Sequence, residues 1–211
     1  MSQLYPIFAD VSGRKVLVVG GGHVAERKVE ALLEAGGQVV LISPELTGRL
    51  ADLGARSMID CHQRRYEKGD LEGAWLVVAA CDDADINERI FSDANEERIF
   101  CNVVDQPERC SFQVPAVVRR QALQIAISTG GASPALAKKI RVQLQKEFGE
   151  CYVIFLETLE ELRRHVKKKY PQDQKKRAAI LEEFVNSQAL DRLRQGETEL
   201  YHQLLQESKR R

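Results

Sequence analysis

Lys15-Val16-Leu17-Val18-Val19-Gly20-Gly21-Gly22-His23-Val24-Ala25 is the stretch that decides the fold of this chain. Four consecutive aliphatic residues after Lys15 read as a strand that a parallel sheet buries on both faces. Ala25, Val29, Leu32 and Leu33 then recur at helical spacing, and Gly36-Gly37 stops that helix. A strand, a glycine turn and a helix with G-x-G-x-x-A spacing make a dinucleotide fingerprint. Gly20 permits the tight turn, Gly22 leaves room for a pyrophosphate, and Ala25 lets the helix pack closely on the sheet. The helix N-terminus adds free N–H groups and the positive end of its dipole. A glycine turn without a ligand is the bland alternative, and the strand and helix on either side favour the fingerprint.

Outward from this point the rhythm repeats. Val39 to Ile42 is a second strand closed by Pro44, Leu46, Leu50 and Leu53 space a short helix, and Met58 to His62 is a weak third strand. Trp75 to Ala80 is a strong fourth strand, and Ile99 to Val104 a fifth. Between them, Asp85-Ile86-Asn87-Glu88 reads as a capping box opening a helix to about Glu97. This βαβα order predicts an α/β fold, a Rossmann-type doubly wound parallel sheet. Cys110 to Val114 and Leu123 to Ser128 read as two further strands flanking Pro115 to Arg120. A Gly130-Gly131 turn follows, and Ser133-Pro134 caps a helix carrying Leu136, Ile140, Leu144 and Phe148. Everything after Glu150 is helical, with breaks near Tyr170-Pro171, Ser187 and Gly196. The expected division is therefore a dinucleotide-binding domain over 1–112, a small α+β dimerisation and substrate module over 113–149, and a helical C-terminal domain over 150–211.

The second strand ends in Ser43-Pro44-Glu45, where an acidic residue usually bonds the ribose hydroxyls of NAD. Glu45, or more weakly Ser43, is placed to do so, while Arg49 is placed to meet the 2′-phosphate of NADP. Both cofactors stay open on this reading. Asp105 ends the fifth strand, at the sheet edge where open α/β folds bind ligands, although an Asp in a D-x-P context also serves as a turn former.

Composition narrows the classes. The 211 residues hold 31 Lys+Arg against 31 Asp+Glu, so no net charge draws the chain to nucleic acid or an anionic membrane. The longest apolar stretch, Trp75 to Cys81, is far too short to cross a bilayer, and Met1 to Ser12 lacks the features of a signal peptide, so a cytoplasmic location is expected. Five scattered cysteines form no C-x-x-C pair, and the four histidines His23, His62, His165 and His202 show no metal-ligand spacing. Cys81 and Cys101 end strand-like runs and read as small buried thiols.

Several passages are more specific than the glycine fingerprint. They are Tyr5 to Phe8, Gly22 to Lys28, Asn102 to Glu108, Cys110 to Ala116 and Ile127 to Ala137. In these the chain resembles the precorrin-2 dehydrogenase / sirohydrochlorin ferrochelatase family of sirohaem biosynthesis, over about residues 4 to 148. The resemblance implies NAD-dependent oxidation of precorrin-2 to sirohydrochlorin on a homodimer. Some relatives also insert Fe2+, and some carry a methyltransferase domain for which this chain has no room. It places the dinucleotide on His23-Val24 and Pro44-Glu45, and the catalytic acid or base on Asp105. A substrate ringed with carboxylates needs cations and anion-binding N–H groups. Arg119 and Arg120, and the Ser128-Thr129-Gly130 turn before the capped helix, are the candidates, each with an ordinary surface or turn role as its alternative. Two other functions compete: a Rossmann module that senses NAD(H) without turnover, and a methyltransferase binding S-adenosylmethionine at the glycine loop. Nothing beyond the loop supports the second.

Overall fold

The computed structural model describes residues 4–197, and the chain divides into two compact units, Met1–Val114 and Pro115–Arg211. The first unit is a five-stranded sheet of β1 (Lys15–Val19), β2 (Gln38–Ile42), β3 (Asp60–His62), β4 (Leu76–Ala79) and β5 (Phe100–Val103). All pairs are parallel, in the order β3-β2-β1-β4-β5. Helices α1 (His23–Glu34), α2 (Gly48–Ala55) and α3 (Ala84–Glu96) supply the crossovers.

The aliphatic run of β1 is buried on both sides. Val16 and Val18 pack with Ala25 and Val29 of α1, while Leu17 and Val19 pack with Ile90 and Ala94 of α3. That two-sided burial is why the run shows no alternation. The strand order reverses between β1 and β4, so the ligand-binding crevice of such a sheet lies beyond the carboxyl ends of these two strands.

Two details differ from the sequence reading. The cap of α3 is Asp83, whose carboxylate accepts from the N–H groups of Asp85 and Ile86. Asp85 lies inside the first turn, and Glu88 pairs with Arg109 instead of closing a capping box. Residues 110–114 form no strand: Cys110 makes only a single bridge to Asn102. One backbone bond, Ser111 N–H to the Cys101 carbonyl at 2.8 Å, is joined there by side chains, with the Ser111 hydroxyl accepting from the Cys101 N–H at 2.7 Å and Asn102 Nδ2 donating to the Phe112 carbonyl at 3.0 Å.

In the second unit the strands are β6 (Ala116–Arg120) and β7 (Leu123–Ile127), an antiparallel pair turned by Gln121-Ala122 with Gln121 at φ 48°. Helix α4 (Pro134–Glu147) starts at Ser133, whose hydroxyl accepts from Leu136 N–H. Of its expected apolar stripe, Leu136 stays 48% exposed, while Ile140, Leu144 and Phe148 are half-buried. Helices α5 (Cys151–Lys169), α6 (Gln174–Val185) and α7 (Ala189–Arg194) build a core of their own around Phe155, Leu162, Val166, Phe184 and Leu193. Among the described residues no helix is long and apolar enough to cross a membrane.

Candidate functional site

A cleft of about 740 Å³ lies at the switch point of the sheet, within the range of small-molecule sites. Gly20, Gly22, His23, Val24, Ser43, Pro44 and Glu45 all line it, together with Arg65 and, from the far side, Ala80 to Asp83. A larger groove of about 1110 Å³ runs along edge strand β3 and holds none of the fingerprint residues.

The three glycines play different parts. Gly20 has φ +118°, and a Cβ there would stand 2.3 Å from the Ala80 carbonyl oxygen. A Cβ on Gly21 would stand 1.8 Å from the Glu45 carbonyl oxygen. Chain packing alone therefore demands both. Gly22 has an ordinary φ of −84°, and a Cβ on it would meet nothing within 4 Å. Neither backbone nor neighbours explain Gly22, and its open face leaves room for a ligand backbone. Gly22 is also the uncapped N-cap of α1, and the first helical bond runs from Glu26 N–H to the Gly22 carbonyl. The preceding N–H groups have no intrahelical acceptor and suit a pyrophosphate. The residues present fit a dinucleotide. Sequence reading assigned no part to Gly21, because a position that only packs on a loop carbonyl leaves no local signal.

Hydrogen bonds lock the two cofactor loops together. Thr47 N–H donates to the Gly21 carbonyl at 3.0 Å, and the Thr47 hydroxyl donates to Glu26 at 2.7 Å. Ser43 is buried, and its hydroxyl donates to the Glu45 carbonyl at 2.7 Å, so its part is to shape the loop. Glu45 is exposed at the cleft. Arg49 donates to Glu30 at 3.0 Å, away from the role of 2′-phosphate ligand considered for it. Across the cleft, Asn87 Nδ2 holds the Cys81 carbonyl at 2.8 Å. Burial pushes the Cys81 thiol up to about 11 and the Cys101 thiol up to about 12, so both stay neutral at physiological pH, as buried thiols do.

Asp105 sits two residues beyond β5, exposed, with φ 60°. Its carboxylate makes no hydrogen bond among the described residues, while its left-handed φ is a conformation that a turn-forming Asp tolerates. The backbone around it is anchored instead. Cys110 Sγ donates toward the Val103 and Gln106 carbonyls, each at 3.2 Å, and Arg109 bonds the Gln106 side chain while pairing with Glu88. Phe112 packs edge-on to Phe100, which packs on Trp75.

The remaining candidates belong to the second unit. Arg120 donates to the Arg119 and Gln145 carbonyls and faces Glu150 at 3.5 Å, which spends its guanidinium on the end of α4. The Ser128 hydroxyl accepts from Gly130 N–H, and the Thr129 hydroxyl accepts from Ser133 N–H. This turn thus partly satisfies its own donors. Arg119 is exposed. Among the described residues no cluster of three or more His, Cys, Asp or Glu is arranged to hold a metal ion; His202 lies outside them.

Comparison with known proteins agrees with this geometry. Residues 7–116 match a family profile described as "Putative NAD(P)-binding", and residues 120–147 match "Sirohaem biosynthesis protein central". Siroheme synthase 3 of Aeromonas hydrophila is 45% identical over 140 residues, 66% of this chain and 30% of that protein. A siroheme synthase of Pseudomonas fluorescens is 36% identical over 203 residues, 96% of this chain and 44% of that protein. The chain thus spans less than half the length of these relatives. The solved structure of SirC, a precorrin-2 dehydrogenase, superposes with a TM-score of 0.80 at 25% identity, covering 97% of this chain and all of that one. The nucleotide-binding profile spans more than half of the chain, so the chain belongs to that NAD(P)-binding family, and its following segment matches the central part of sirohaem biosynthesis proteins.

Proposed function

We propose that this protein oxidises precorrin-2 to sirohydrochlorin with NAD as the acceptor. The observation that carries the reading is the pairing of an otherwise unexplained open glycine, Gly22, with an unspent carboxylate, Asp105, on one carboxyl edge of the sheet. Bound NAD supplies a two-electron acceptor for hydride. The chain supplies the rest: Gly22 and the start of α1 receive the pyrophosphate, Glu45 the ribose, and Asp105 takes the proton that must leave with the hydride. A sensor of NAD(H) without turnover needs no such carboxylate. Formation of sirohydrochlorin from precorrin-2 and NAD, followed by absorbance, tests the reading.

In this reading Arg119, Ser128, Thr129 and Gly130 meet the substrate carboxylates, the 113–149 module serves dimerisation and substrate binding, and the protein works in the cytoplasm. Fe2+ is a second substrate where the macrocycle is also metallated.

NAD is preferred over NADP, because Glu45 is free at the ribose end while Arg49 is held by Glu30. Glu45→Ala is expected to weaken NAD binding by roughly tenfold, the scale of one good hydrogen bond to a charged group, and NADP binding less. Calorimetry measures both, and tighter binding of NADP by the unmodified protein contradicts the assignment.

A homodimer forms through residues 113–148. The β6–β7 hairpin packs on α4, yet no residue of β7 is fully buried, and Leu136 and Val142 of α4 stay 48% and 39% exposed. A second copy covers such a surface symmetrically. Sedimentation at micromolar concentration is expected to give twice the chain mass, and an active monomer refutes it.

A further inference from the structure

Lys28 lies on α1 one helical turn beyond Val24, near enough to Cys110 and Asp105 to interact with them electrostatically. Helix α1 turns about 100° per residue, so Lys28 emerges about 40° from Val24 and about 60° from Ala25. Val24 lines the cleft. Ala25 is buried in the cluster against which Val104 and Phe112, on either side of the loop, are packed. Lys28 therefore emerges between the cofactor stripe and the loop-facing stripe. It is half-buried, and among the described residues its ammonium has neither a hydrogen bond nor a carboxylate within ion-pair distance. Burial and the neighbouring Arg27 push its pKa down, while Cys110 and Asp105 are near enough to oppose them. An ammonium half-withdrawn from water with no carboxylate in contact carries a penalty, and an incoming carboxylate that pairs with it reduces that penalty.

We propose that Lys28 is the anchor for one carboxylate of the tetrapyrrole, seating the macrocycle beside Asp105 and over the cofactor cleft. The proposal rests on the dehydrogenase reading for the identity of its ligand. Asp105 stays available for proton transfer because no ion pair joins it to Lys28. A lysine suits the place because a single compact charge on a flexible stem can follow one carboxylate, with no demand for a planar fork.

The test compares the full-length unmodified protein with Lys28→Gln and Lys28→Arg. Uroporphyrin, a tetrapyrrole with eight carboxylates, is titrated by fluorescence, and the KM for precorrin-2 is measured alongside. Lys28→Gln is expected to raise both the uroporphyrin Kd and the precorrin-2 KM on the order of tenfold to hundredfold, the range for a charged hydrogen bond. Lys28→Arg restores most of the affinity, and NAD affinity and Tm stay unchanged in both variants. Unchanged Kd and KM in Lys28→Gln overturn the anchor while leaving the dehydrogenase in place. A parallel loss of NAD affinity or Tm in both variants assigns Lys28 a structural part and overturns it too. If the unmodified protein fails to oxidise precorrin-2 but Lys28→Gln still weakens uroporphyrin, the anchor stands and the dehydrogenase reading falls. If the protein neither oxidises precorrin-2 nor binds uroporphyrin, both fall.

Discussion

Asp105→Asn is expected to lower turnover of precorrin-2 by about 10²–10⁴-fold, the usual worth of general acid–base assistance, with little change in NAD affinity. Loss of hydride from the macrocycle must be matched by loss of a proton, and asparagine keeps the shape of the side chain while removing the base. The backbone makes asparagine the clean substitution. Asp105 has φ 60°, a left-handed conformation that asparagine tolerates and alanine adopts only with strain. The anchoring bonds of Cys110, Arg109 and Asn102 do not involve the Asp105 carboxylate, so the loop keeps its place. The glycine turn follows a different strand, β1, which is why NAD binding is spared. Where the protein also inserts Fe2+, the same substitution impairs that step, since metal insertion also requires proton removal. Steady-state rates at several NAD concentrations check this, and near-normal turnover in both Asp105→Asn and Asp105→Ala leaves Asp105 a turn residue only.

The glycines separate folding from binding. Gly20→Ala and Gly21→Ala each force a Cβ into a backbone carbonyl, at 2.3 Å from Ala80 and 1.8 Å from Glu45. Such overpacking costs about 1–3 kcal/mol, or roughly 4–12 °C in Tm for a unit of this size. The loss is expected in the cofactor-free protein. Gly22→Ala places its methyl group in open space, so cofactor-free stability changes by less than about 0.5 kcal/mol. The same methyl group then stands where the pyrophosphate is proposed to rest, and a comparable steric cost of about 1–3 kcal/mol is expected to reduce NAD affinity roughly tenfold to hundredfold. Thermal melts with and without NAD distinguish the three variants. Gly22→Ala binding NAD as tightly as the unmodified protein removes the pyrophosphate from this position.

Local patterns account for most of what could be read in advance. The β1 run, the glycine turn and the α1 stripe are short-range features whose burial follows from their own periodicity, and Ser133-Pro134 announces α4 through capping chemistry. The breaks at Pro171 and Ser187 likewise separate α5, α6 and α7, and Gly196 follows the end of α7. The misreadings involve groups that act over longer range. The segment Cys110 to Val114 has strand-like residues, yet bonds from Cys101 and Asn102 of β5 to Ser111 and Phe112 replace a ladder, and pairing begins only after Pro115. Val117 to Arg120 mixes two valines with two arginines, and a partner strand is needed to reveal its alternation. Asp83 competes with Asp85 for the same cap, and the winner depends on where β4 ends. Gly21 and Lys28 draw their importance from Glu45 and Asp105, residues that only the folded sheet brings near them.

The most direct test of the central claim is the stoichiometry of the reaction on purified protein under anaerobic conditions. Precorrin-2 and NAD are mixed with enzyme, and NADH and sirohydrochlorin are followed together by absorbance. The account predicts that the two appear in a one-to-one ratio, at a rate proportional to enzyme and abolished when NAD is omitted. Binding of NAD and precorrin-2 without formation of NADH, or sirohydrochlorin appearing equally fast without NAD, contradicts it.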